Sequence, residues 1–273
     1  MKNSQPMLQE NLKPALSLSL IIGLLMAGVS MAGLLFQASL YPTDELQDAF
    51  VANDLVNLFI GLPILLWSMW LARSGKLAGL LLWPGTLLYV LYNYIAYVIV
   101  TPLGWISSVY LALVLLSAYI IIYLLKAIDN NSVQQQLAGV VPAKLSGWVL
   151  VGLGCLFFLR ALSLIIQASK GQMALPMSGL GVLVADMILS ASWIAGGVLL
   201  LLRKPLGYAS GLGLLFSGSM LFIALILFLM LGPLLTDAPF APADVIMVLS
   251  MGMICFVPFY LFMRGVWQQD KLA

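Results

Sequence analysis

The chain has 273 residues, of which 63% are hydrophobic and 8% charged, and its formal net charge is +2. Soluble domains carry about a quarter charged residues, so this composition excludes a solvated globular shell and belongs to a polytopic membrane protein. The thin charge excludes a nucleic-acid partner, and the absence of histidine excludes His-ligated haem, HExxH zinc sites and imidazole acid–base catalysis.

Spanning a bilayer takes about 20 apolar residues, and that length predicts eight spans in chain order. They lie at about 15–40, 51–71, 77–100, 104–125, 146–168, 179–202, 206–231 and 243–264. The first follows Lys2 and Lys13 but has an apolar run too long for a secretory leader, so it reads as a retained span. The second meets Pro63, which breaks or bends its hydrogen-bond ladder, and closes at Arg73. Between the fourth and fifth spans, AIDNNSVQQQLAGVVPAK (residues 127–144) is polar and reads as a cytoplasmic linker with little amphipathic character. Cys155 and Cys255 sit singly inside apolar runs and read as packing residues. Gly23/Ala27, Gly28/Ala32 and Gly207/Gly211 have the small-xxx-small spacing of close helix contacts.

Basic residues set the orientation. With the N-terminus cytoplasmic, Lys2, Lys13, Arg73, Lys76, Lys126, Lys144, Arg203, Lys204, Arg264 and Lys271 all lie inside. The outer loops hold Asp44, Glu45, Asp48, Asp237, Asp244 and only Lys170. The expected location is the inner membrane, multi-pass, with both termini cytoplasmic.

The two sides of the linker resemble each other. Gln37-Ala38-Ser39 recurs as Gln167-Ala168-Ser169, Asp54 as Asp186 and Arg73 as Arg203, while Pro102–Lys126 matches Pro242–Arg264. The pattern predicts an all-α bundle of two parallel four-helix repeats, residues 1–128 and 146–273, joined by the linker 129–145. Such repeats are related by an axis along the membrane normal, and their interface is the natural place for a cavity or equally for a filled seam that holds the bundle together.

Ionisable residues within spans cost roughly 2.5–3.5 kcal/mol each on insertion scales, so each needs a partner or a function. Arg160 lies about eight residues from the outer end of its span, roughly 12 Å along the helix, and Asp186 lies at similar depth on the next. An Arg160–Asp186 ion pair is expected, either as a structural pair fixing register or as an anion site. Ser163 and Gln167 continue the Arg160 stripe outward, and Ser190 and Trp193 continue that of Asp186, like the lining of an outward-facing crevice. In the first half Asp54 reads as a capping carboxylate near a helix start, with Asn57 one turn later. Thr86, Tyr89, Asn93 and Tyr97 share one face of the third span. Tyr97, Tyr119 and Tyr123 fit an interfacial aromatic belt, whereas Tyr89 lies nearer mid-membrane.

The segment from Asn53 to Tyr97 resembles a group of uncharacterised bacterial polytopic membrane proteins. Such proteins have an Asp-led second span, a Trp-Leu-Ala-Arg turn and a Tyr-Asn-Tyr third span, here Asp54, Trp70 to Arg73, and Tyr92-Asn93-Tyr94. The later VADMILSASWIAGGVLLLLRKPLGYASG segment, with Asp186 and Arg203, fits the same group. The resemblance implies the architecture and no established activity.

No GxSxG, Ser–His, Glu–Glu or metal-binding pattern is present, and VAND and VADM lack the GxGD of intramembrane aspartyl proteases. The expected function is binding or translocation of a small molecule through a polar crevice in the outer half of the membrane. The expected lining is Arg160, Asp186, Asn93, Tyr89, Asn57, Asp54, Ser190, Ser163 and Gln167. The other reading is a non-catalytic structural or assembly subunit of a membrane complex. The expected partners are the bilayer and a small-molecule or lipid ligand, with no cofactor.

Overall fold

The computed structural model describes residues 11–172, 174, 176–235 and 240–272; Lys2 and Asp237, used above for topology, lie outside them. Among the described residues, eight helices are long and apolar enough to cross a membrane. α1 (Lys13–Leu35) is followed by one helical turn, α2 (Gln37–Leu40). The second span is continuous through α3 (Asp44–Val56), a π-helical turn (Asn57–Gly61) and α4 (Leu62–Arg73). α5 (Leu77–Val100), α6 (Trp105–Ala127) and the short α7 (Asn130–Leu137) come next. α8 (Ala143–Ser169), α9 (Met177–Leu201), α10 (Pro205–Leu235) and α11 (Pro242–Leu272) complete the bundle.

Two boundaries differ from the hydropathy reading for identifiable reasons. The second span begins at Asp44, because the Thr43 hydroxyl accepts the Leu46 N–H at 3.3 Å and Asp44 and Glu45 occupy the first turn, where carboxylates favour a helix start. α11 continues to Leu272, beyond the apolar run, because Asp270 has a partner. Its carboxylate accepts the N–H groups of Leu77 (2.7 Å) and Ala78 (3.1 Å) at the start of α5. Two donors that a helix start otherwise leaves unbonded are thereby satisfied.

The π-helical turn follows from Pro63. Proline offers no N–H to the ladder, and Leu62 N–H reaches back five residues to the Asn57 carbonyl. Gly61 closes the turn against α1 and α5, where a Cβ would meet Met26 Cε at 2.8 Å and the Tyr89 ring at 2.9 Å. In the linker, the Asp129 carboxylate accepts the N–H groups of Asn131 (3.2 Å) and Ser132 (3.3 Å). With Val133 and Leu137 buried one turn apart on one face, the linker forms a short amphipathic helix, against the weak amphipathic character expected of it.

α5 runs through the middle of the bundle. Between Leu77 and Tyr97 every residue except Tyr92 is buried. α10 crosses it where glycines meet: a Cβ on Gly85 would overlap the Gly213 backbone, and one on Gly213 would press on the Leu81 carbonyl. Backbones in hydrocarbon approach this closely only through small residues. Among the expected small-residue contacts, Gly207 packs on the Leu199–Leu200 backbone, whereas a Cβ on Gly28 would meet nothing within 4 Å. Cys255 is buried and Cys155 exposed, so only the first is a packing residue.

The turns after α4 and α9 share a hydrogen-bond pattern, which also recurs after α8, where Lys170, Gly171 and Gln172 donate to Ile166, Ala168 and Gln167. Ser74, Gly75 and Lys76 donate to Trp70, Ala72 and Leu71; Leu202, Arg203 and Lys204 donate to Val198, Leu200 and Leu199. Gly75 (φ 77°) and Arg203 (φ 54°) therefore hold the same left-handed position.

Candidate functional site

Three consecutive residues of α5 organise the polar interior. Successive side chains on an α-helix are rotated by about 100°, so Tyr92, Asn93 and Tyr94 point at three different neighbours. The Tyr92 hydroxyl donates to Asp186 Oδ1 on α9 at 3.0 Å. Asn93 Oδ1 accepts from Asn53 Nδ2 on α3 at 3.1 Å, and the Tyr94 hydroxyl lies 3.4 Å from Ser30 Oγ on α1. Asn93 also donates through Nδ2 to the Tyr89 carbonyl one turn back, at 2.9 Å.

On one side of α5 is the expected ion pair, with Arg160 Nη1 3.1 Å from Asp186 Oδ2. Its two ends differ sharply in environment: the Asp186 side chain is 2% exposed and that of Arg160 55%. The carboxylate has both oxygens engaged, one by Arg160 and one by Tyr92. The guanidinium makes one hydrogen bond among the described residues and turns its other donors to the outside of the bundle. Ser190 is buried and returns its hydroxyl to the Asp186 carbonyl at 2.5 Å. Gln167 donates to Ser163 at 3.0 Å on the exposed face of α8. Arg160, Ser163 and Gln167 therefore form an outward stripe, while Asp186 and Ser190 are sealed beneath it. Below them Trp193 is buried, donates to Ser217 at 3.3 Å and meets the Phe157 ring edge-on at 5.5 Å.

The opposite side of α5 holds a second cluster that the sequence reading placed differently. Asp54 lies well inside α3 rather than capping it, and is 1% exposed. The Tyr41 hydroxyl donates to Oδ2 at 2.6 Å and the Tyr97 hydroxyl to Oδ1 at 2.9 Å. Asn53 Nδ2 also reaches Tyr97 Oη at 3.2 Å. Gly33 on α1 leaves the space for the carboxylate, because a Cβ there would overlap Asp54 Oδ2 and the Tyr41 hydroxyl. Rings enclose the group: Phe50 and Tyr97 are 4.3 Å apart, and Tyr110 stands 5.1 Å from Tyr97 and 5.7 Å from Tyr94. Tyr97 is thus a ligand of Asp54 and not part of an interfacial belt; Tyr119, 58% exposed, does face outward. One turn inward, the Tyr89 hydroxyl donates to Asn57 Oδ1 at 3.0 Å. Asn57 Nδ2 and the Tyr110 hydroxyl are buried without a hydrogen-bond partner.

The nine expected lining residues therefore divide into two groups with α5 between them. Arg160, Asp186, Ser190, Ser163 and Gln167 gather at α8 and α9. Asp54, Asn57, Tyr89 and Asn93 gather at α3, the π-helical turn and α5. Sequence reasoning missed Tyr41, Ser30 and Tyr110 around Asp54, and Tyr92 on Asp186. The available signal was the Tyr-Asn-Tyr triplet, whose 100° steps cannot keep all three side chains on one face. A cavity of about 310 Å³ belongs to neither group and is lined by Glu45, Asp48, Ala49, Phe228, Leu229, Gly232 and Pro233. Among the described residues, no three His, Cys, Asp or Glu side chains gather to hold a metal.

No family model, curated protein or solved structure matches the chain.

Proposed function

We propose that this integral membrane protein binds or translocates a small molecule with an anionic group, engaged by Arg160 in the outer half of the membrane. The observation that carries the reading is the asymmetry of the ion pair. A cation in a span normally spends its donors on protein or interfacial partners, yet the Arg160 guanidinium spends one on Asp186 and presents the rest outward. Asp186, fixed by Tyr92, aims the guanidinium and lowers the cost of holding it at that depth. Ser163 and Gln167 supply neutral donors and acceptors along the same stripe.

The same reading includes an inner-membrane location with both termini cytoplasmic and two parallel four-helix repeats. The Gly85–Gly213 crossing of α5 and α10 supports that arrangement. A structural or assembly role is the second reading, favoured by the complete satisfaction of both Asp186 oxygens within the protein.

The Arg160→Gln/Asp186→Asn double variant separates the two. Native mass spectrometry of detergent-purified protein is expected to find an anionic molecule on the wild type that the folded double variant lacks. A folded double variant that retains the same molecule, or keeps full activity in its host, refutes the ligand reading.

A further inference from the structure

We propose that Asp54 is a proton-binding site, taking up and releasing a proton from the outer aqueous side within its cage of tyrosines. An ionised carboxylate in a low-dielectric interior needs a counter-charge, failing which it neutralises. Among the described residues the one ion pair is Arg160–Asp186, and no lysine or arginine reaches Asp54. A metal cation needs several oxygen ligands and the room to hold them, whereas even a methyl group on Gly33 would overlap Oδ2. A proton needs no room.

The groups facing the carboxyl are uncharged hydroxyls. α1 presents Ser30 and Gly33, the segment before α3 presents Tyr41, α5 presents Tyr94 and Tyr97, and α6 presents Tyr110. On α3 itself Asp44, Glu45 and Asp48 lie toward the outer end, and α10, packed against α3, carries no acidic or basic side chain. α9 also touches α3, and its Asp186 is already paired with Arg160. The acidic outer end of α3 raises the local concentration of protons near the site.

The hydrogen bonds accommodate both states. When the carboxylate is ionised, Tyr41 and Tyr97 each donate to one oxygen, and the Tyr110 hydroxyl is left unbonded. A hydronium ion delivers its proton to Oδ2 and leaves as water. The new carboxylic acid O–H then donates to Tyr41 Oη, and the Tyr41 hydroxyl turns to Tyr110 Oη, a member of the same ring cluster through Phe50 and Tyr97. The orphaned hydroxyl of one state is thus the acceptor required by the other. This inference concerns a cluster separate from Arg160 and stands whether or not that residue binds an anion.

Infrared difference spectroscopy of the protein in lipid nanodiscs, stepped between acidic and alkaline pH, tests it. A carboxylic-acid carbonyl band should appear on acidification, vanish in Asp54→Asn and persist in Asp186→Asn. Tyr41→Phe removes a donor that favours the ionised form and should move the midpoint upward by about one pH unit. The midpoint should be the same in sodium, potassium and choline buffers. A band that survives in Asp54→Asn, a midpoint that follows sodium, or an unmoved midpoint in Tyr41→Phe overturns the proposal. Should Asp54→Asn not fold, the Tyr41→Phe shift and the cation comparison decide it.

Discussion

The unequal burial of the two ends of the ion pair predicts an unequal double-mutant cycle. Arg160→Gln leaves the Asp186 carboxylate, 2% exposed, with only the Tyr92 hydroxyl. Removing one partner of a fully buried pair costs about 3–5 kcal/mol. Arg160 is 55% exposed, which weakens the attraction being lost, so a cost of about 2 kcal/mol is expected. Asp186→Asn keeps an acceptor for Tyr92, and the freed arginine extends its stem toward the membrane interface; its cost should be about 1 kcal/mol. The double variant has no buried charge and should also cost about 1 kcal/mol, leaving a coupling of about 2 kcal/mol in magnitude. Reversible unfolding in bicelles, followed by steric trapping, measures all four corners. Equal costs for the single variants with simple additivity would show that the pair contributes nothing through its burial, and would refute the reasoning.

Three further outcomes follow from local geometry. Asp270→Ala removes both capping bonds at Leu77 and Ala78 and should cost about 1–2 kcal/mol, with amide exchange rising first at the start of α5; unchanged exchange there contradicts the capping role. Arg203→Gly relieves the left-handed backbone (φ 54°) and should stabilise by up to about 1 kcal/mol, whereas Gly75→Ala should destabilise by a similar amount; the same sign for both is the contrary result. The Asp129 carboxyl is held below its usual range by the Ser132 hydroxyl and the N–H groups of Ser132 and Asn131. The cap on α7 is therefore in force above the ordinary carboxylate range and is lost as pH falls through the lowered folded value. Hydrogen exchange of the α7 amides, measured at matched intrinsic rates, should rise only in acid, and a rise near neutral pH would contradict it.

Hydropathy located all eight spans because bilayer thickness fixes their length, and the depth arithmetic brought Arg160 to Asp186. What composition could not show was direction. Asp54 reads as a cap when the helix is taken to begin at 51; beginning at Asp44, the same residue lies about 15 Å along it. Tyr97 has the composition and position of a belt residue, and only the partner helix reveals that its hydroxyl is spent inward. Tyr41 lies outside any apolar run, so its contact with Asp54, across a turn that hydropathy does not resolve, has no periodic signature. The linker helix was missed because its apolar face is only two residues long, Val133 and Leu137, and its start depends on the local Asp129 cap.

The fan of Tyr92, Asn93 and Tyr94 has a mechanical consequence. A helix joined to one neighbour can roll, and one joined to two can tilt; α5 is keyed to α1, α3 and α9 within a single turn. Rotating it by one residue would present each side chain to the wrong groove and break three polar contacts in hydrocarbon together. At that depth the four helices must move as one rigid block. Compliance is then left to the α3–α10 seam, where a cavity already lies between Ala49 and Phe228, so any widening of the bundle starts there.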